Sequence, residues 1–333
     1  MMTNITITKK KLYLVLTISF VGIVLGLWLV NHQQPGPSPI PIKRYEIALM
    51  GMDTNRVGEE LHRLYKDFPL FLDGVDLNDD HNQKHFLNFV TDPRSKEMLS
   101  DILKKYPTLK PLEKTFGESF KRYAECFNKV ELPTIYTYMS YLDYDNRVIF
   151  LDSVLVIAID LYLGATCKHY DAVALPTYIR MRLDDRFIAV DGMKAVAHYE
   201  LEKTPQPLQT LLDHLILNGK VAYFLEKMLP RTDAATRFGY TPEQMTWCKK
   251  SEKMMWSYLV GSRLLYEQDN FRYRAFISES PTVQVFPGSP GRVGHFLGYQ
   301  IVKKYMEHTG QTLPELLAET DVQNILKLSN YRP

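Results

Sequence analysis

Residues 195–230 read AVAHYELEKTPQPLQTLLDHLILNGKVAYFLEKMLP. His198 and Glu202 stand four apart, so on a helix both side chains leave the same face. HExxH uses this spacing to present two zinc ligands beside a general base. Here the pattern is His198, Tyr199, Glu200, Leu201, Glu202. Glu202 occupies the second ligand position, where a carboxylate can still bind a metal. Tyr199 occupies the position of the base, and a phenol with a pKa of about 10 does not serve as one at neutral pH. Glu200 does not replace it, because two residues turn roughly 200° around a helix. A third ligand would come from a second helix, where the chain has Asn218 before Gly219. A neutral amide is a poor zinc ligand. His214, one turn earlier, is the remaining candidate. His198, Tyr199, Glu202, His214 and Asn218 therefore read as a vestigial site with no cofactor. An active zinc site built on His198, Glu202 and His214 is the alternative.

A second unusual stretch is PGSPGRVGHFLGYQIVKKY, residues 287–305. Gly291 and Arg292 fall at a predicted helix start, where backbone N–H groups can receive an anion. Gly294 and Gly298 are four apart and permit close approach of another helix. The glycines then serve packing, and Arg292 pairs with an acidic side chain. The segment is neither a phosphate-cradling loop nor a dinucleotide fingerprint, and the chain has no GxSxG elbow.

The elements that would position these residues follow from periodicity. Helices are predicted at 192–203, 208–229, 242–265, 269–278, 291–308 and 313–319, with another near 321–328. Thr241 before Pro242 is a helix-start signal. Met98, Leu99, Ile102 and Leu103 form one apolar stripe, and Leu112, Phe116, Phe120, Tyr123 and Phe127 another, so these two helices are expected to pack together. Residues 43–50 read as a short strand and 76–85 as a polar loop. TIYTYMSY and RVIFLD, separated by turn residues, predict a β-hairpin, and VLVIAID a buried strand or a helix start. Asp160 ends that apolar run and needs a buried partner.

The chain has 333 residues, 45% of them hydrophobic, enough for a substantial core. A net charge of +2 gives no electrostatic footprint for nucleic acid. Cys126, Cys167 and Cys248 are too scattered for a disulfide framework and are expected as three separate buried thiols, with one disulfide and a leftover thiol as the alternative. Residues 1–11 are a basic segment ending in Lys9, Lys10 and Lys11, and an unbroken apolar run spans 12–30. That run is long enough for an uncleaved transmembrane anchor, with the lysines cytoplasmic and the remainder periplasmic; a cleaved signal peptide is the alternative. Residues 31–42 are a Pro-rich spacer, and 43–333 form the main domain.

LVIAIDLYLG (155–164), LPTYIRMR (175–182), LLDHLILNGKVAYFLEKMLP (211–230), GYTPEQMTWCKKSEKMMWSYL (239–259) and SPGRVGHFLGYQIVKKYM (289–306) together resemble the gliding motility lipoprotein B (GldB) family of Bacteroidota. The resemblance covers most of residues 43–320. The family's C-terminal half is in turn similar to predicted zinc-dependent, gluzincin-like peptidases, whose ligands its members have largely lost. It implies an envelope-anchored accessory protein of the gliding and cell-envelope machinery, with envelope proteins or peptide segments as partners. One departure stands out: Leu27 in VLGL occupies the place of a lipobox Cys, so attachment is expected through the helix itself. The combined reading is an α+β, predominantly helical protein with a degraded zincin-like core, a small β-sheet and an N-terminal transmembrane helix. It is expected to be non-catalytic, with an active zinc metallopeptidase of atypical ligands as the alternative.

Overall fold

A computed structural model describes residues 38–128 and 131–333. The predicted membrane span 12–30 lies outside these residues. None of the described helices is long and apolar enough to cross a membrane. The fold is mostly helical with a small mixed sheet, as the α+β reading expects.

The sheet has the order β1-β2-β4-β3, from β1 (Ile42–Arg44), β2 (Thr134–Tyr138), β3 (Val148–Leu151) and β4 (Val154–Ala158). β2 runs parallel to β1, with Ile42 opposite Ile135, and parallel to β4, with Thr134 opposite Val154. β3 and β4 pair antiparallel, Val148 opposite Ile157, and Asp152 takes the left-handed turn between them at φ 47°. The hairpin is therefore RVIFL with VLVIA, and not the expected pairing of TIYTY with RVIFL. β4 is the most apolar run and its Leu155, Val156, Ile157 and Ala158 are all buried, so it takes a central place between β2 and β3. Of residues 43–50, only the first two extend the strand; α1 (Tyr45–Met50) takes the rest.

The N-terminal helices are α2 (Val57–Asp67), α3 (Pro69–Leu72), α4 (Asp80–Thr91), α5 (Pro93–Lys105) and α6 (Lys110–Phe127). α4 claims much of the expected 76–85 loop because the Asp79 carboxylate accepts the Asn82 N–H as a cap. Asp92 caps α5 in the same way, with Pro93 at its first turn. Met98 and Ile102 of α5 enter the same core as Phe116 and Phe120 of α6. The two helices nevertheless lean on different neighbours, α5 on α1 and α4, and α6 on the later helices Ile188–Glu202 and Leu211–Met228. β2 divides the layers. Ile135 points into the large core with α6, and Tyr136 packs with Tyr45, Leu61 and Phe68 of the N-terminal helices.

The C-terminal helices are α7 (Thr177–Arg180), α8 (Ile188–Glu202), α9 (Leu211–Met228), α10 (Ala234–Phe238), α11 (Pro242–Gly261), α12 (Asn270–Ile277), α13 (Val293–Thr309), α14 (Leu313–Ala318) and α15 (Val322–Ser329). Their bounds follow the periodicity closely. Capping boxes fix three starts: Thr210 with Asp213, Thr241 with Gln244 ahead of Pro242, and Thr312 with Glu315. α8 lies on the sheet against β3 and β4. Cys126, Cys167 and Cys248 are separate free thiols, but only Cys248 is buried; Cys167 is half-buried and Cys126 is exposed.

Asp160 follows β4 and is fully buried. Its carboxylate accepts the Ser140 N–H at 3.1 Å and the Leu142 N–H at 2.9 Å. It thereby pins a turn in which Tyr141 and Leu142 hold φ values of 58° and 65°. Its role is structural.

Candidate functional site

α8 carries Asp191, Lys194 and His198 at spacings of three and four, so one face of a mostly apolar helix bears three ionisable groups. Asp191 is buried and receives the Arg147 Nε–H at 3.1 Å and the Tyr162 hydroxyl at 2.9 Å. Burial alone would raise its pKa, but Arg147, Arg182 and Lys194 outweigh burial and hold it below the usual carboxylate range. Lys194 is half-buried. Burial first, and then Arg292 and Arg182, bring its pKa down to about 8.

Three further cations come from other elements. Arg147 precedes β3 and lies over the Tyr144 ring, 4.7 Å from its centre. Arg182, just after α7, is ion-paired with Glu279, which also accepts the Tyr144 hydroxyl at 3.0 Å. Burial opposes ionisation of Glu279, but Arg182 and Arg292 prevail and bring its pKa to about 2. Arg292 caps α13 in the left-handed region at φ 54°, is 7% exposed, and donates Nη2–H to the Phe238 carbonyl at 3.2 Å. Gly239, at φ 68°, turns the chain over both guanidinium groups. A Cβ there would stand 2.7 Å from Arg182 Nε and 3.2 Å from Arg292 Nη2.

Two small cavities share Arg182, Phe187, Gly239 and Arg292. One, about 60 Å³, opens toward Tyr178, Glu279 and Gly291; the other, about 30 Å³, runs to Lys194, Asn218 and His295. His295 donates Nε2–H to the Ile277 carbonyl at 3.1 Å, and burial followed by Arg292 and Lys194 pushes its pKa well below the ordinary value.

The structure places the residues singled out from sequence as follows. His198 is half-buried, and burial followed by Lys194 lowers its pKa to about 4. Tyr199 packs edge-on against Phe150 at 5.3 Å and lies under the Lys203 ammonium. Glu202 is exposed at the end of α8. Glu200 turns the other way, into the core, and accepts the Tyr123 hydroxyl at 2.5 Å. The His214 ring lies beside Tyr273, tilted at 41° with ring centres 5.6 Å apart. Asn218 donates to the His214 carbonyl at 2.8 Å and lines the smaller cavity. Among the described residues, no group of three or more His, Cys, Asp or Glu side chains is placed to hold a metal ion. The donor set on α8 and α9 therefore does not fit a zinc: α8 supplies His198, a solvent-facing carboxylate and a lysine, and α9 supplies an amide and His214, whose ring lies beside Tyr273 and forms no ligand cluster with the others.

The glycines do what their spacing suggests. α9 and α13 cross most closely where Gly219 meets the backbone of Gly298 and Gly298 meets the carbonyl of Leu215; neither has room for a Cβ. One turn earlier, a Cβ on Gly294 would be 2.7 Å from Leu215 Cδ2 and 2.9 Å from the Phe276 carbonyl. Gly291 lies against the Ser280 backbone. Arg292 departs from the expected pairing: Glu279 acts on it at a distance, but its hydrogen bond goes to a carbonyl. Sequence reasoning missed Arg147, Arg182, Lys194 and Glu279. Lys194 was detectable as the lysine one turn before His198, on the same face as Asp191 of a mostly apolar helix.

Fold and site define a helical α+β protein with a closely crossed α9–α13 pair and a cationic cleft beside it. The pattern of the gliding motility protein GldB family matches residues 31–333, and the chain belongs to that family. No curated protein and no solved structure matches it significantly.

Proposed function

We propose that the protein is a non-catalytic accessory component of the gliding and cell-envelope machinery, anchored in the cell membrane by residues 12–30 and acting on the periplasmic side through protein contacts. Family membership supports the link to gliding motility. The observation that carries the non-catalytic reading is the position of Lys194 one turn before His198. Where a zinc site would gather carboxylates around its histidines, this cleft gathers Arg147, Arg182, Lys194 and Arg292 against Asp191 and Glu279. Such a field repels a divalent cation. The scaffold is read as a peptidase-like frame whose ligand positions have been refilled. β3 is an outer strand with Leu151 exposed, and supplies a place where a partner's peptide segment can add to the sheet.

The test is complementation of a gliding strain from which the gene has been deleted. His198→Ala combined with Glu202→Ala restores spreading to the wild-type rate. Loss of spreading, with the variant present at wild-type level in the membrane, contradicts the reading and favours a metallopeptidase.

A further inference from the structure

The charges of the cleft do not balance. Asp191 is matched by Arg147, Glu279 by Arg182, and Arg237 on the cavity wall by Glu226 at 3.6 Å. Lys194 and Arg292 have no ion-pair partner among the described residues, although burial makes an unmatched charge costly. Arg292 is more than nine-tenths buried and commits one of five guanidinium donors, to Phe238. Arg182 Nε is sealed from solvent and has no acceptor. These donors converge under Gly239 on cavities of about 60 and 30 Å³. A water molecule needs roughly 10–15 Å³ of such space, so the cavities admit a small group and not a whole cofactor.

We propose that Arg182, Lys194 and Arg292 form a binding site for one dianionic phosphoryl group. The surplus of two positive charges matches a dianion better than a carboxylate. The unused guanidinium donors supply the charge-assisted hydrogen bonds that phosphate oxygens accept. The N-terminus of the 17-residue α13, which Arg292 caps, adds its dipole in the same sense. The site stands apart from the accessory role argued above and does not depend on it.

Full-length protein in detergent is titrated with inorganic phosphate, glycerol phosphate and acetate, at ionic strength matched with chloride, while thermal unfolding and binding heat are followed. Saturable stabilisation by a phosphate, absent with acetate, is expected. Lys194→Met weakens binding at least about tenfold and Lys194→Arg largely restores it. Arg292→Gln also weakens binding; because it changes a helix cap, it is interpreted only if its far-UV spectrum is native, and Lys194→Met decides otherwise. Preference for glycerol phosphate over phosphate assigns the site to a lipid or sugar headgroup, and the reverse preference to free phosphate. No saturable effect beyond chloride, or equal binding by wild type and Lys194→Met, overturns the proposal.

Discussion

Lys194 lies one helical turn before His198, and its charge helps keep the imidazole neutral. Burial is the larger cause and Lys194 the second. Lys194→Met is therefore expected to raise the His198 pKa from about 4 partway toward its ordinary 6.5. Titration of the histidine ring protons by NMR reads this directly. An unmoved His198 resonance would separate the two residues electrostatically and remove the basis for a cation-filled site.

Acid should destabilise the fold in a particular window. His198 has a folded pKa near 4 against 6.5 unfolded, so the unfolded chain takes up the proton first as pH falls. Its contribution is fully present above pH 6.5 and lost by about pH 4, amounting to no more than about 3 kcal/mol. Glu279, held near 2 by Arg182 and Arg292 against burial, extends the loss below its ordinary 4.5. Denaturant midpoints between pH 8 and pH 4 should fall. His198→Phe should flatten the upper part of that fall, and an unchanged slope would deny the assignment.

The α9–α13 crossing makes the sharpest stability prediction. Gly298→Ala places a methyl group on the Leu215 carbonyl, which backbone cannot vacate cheaply. A loss of about 1–3 kcal/mol or more is expected from urea unfolding. Gly261→Ala, at the end of α11 with nothing near its Cβ, is the control and should be neutral or stabilising by up to about 1 kcal/mol. Equal effects at both positions would contradict the close crossing.

Asp160→Ala removes the acceptor for the Ser140 and Leu142 amides and frees a turn with two left-handed residues. A cost of about 3 kcal/mol is expected. Proteolysis should then cut first near residues 140–146. Unchanged stability and cleavage would mean that the turn holds itself.

The helical half was legible because its signals are local. Thr241 before Pro242 marks a helix start, and Gly294 with Gly298 marks a contact face, whatever the rest of the chain does. The sheet was not, because β2 finds its partners at residues 42–44 and 154–158 by parallel pairing, which no turn between adjacent strands announces. Within the site, His198, Asn218 and Arg292 were found from spacing. Arg147, Arg182 and Glu279 come from segments far apart in sequence, and only the folded chain shows that they face Lys194 or one another. HExxH spacing points to Glu202, which is exposed, and is silent on Lys194, which is half-buried beside His198.

The account's central claim is that the α8–α9 site holds no catalytic metal. The most direct measurement is elemental analysis of full-length protein purified without chelator in zinc-supplemented buffer, wild type beside His198→Ala. The account predicts substoichiometric zinc, equal in the two proteins. One zinc per chain in the wild type, lost in His198→Ala, would contradict it.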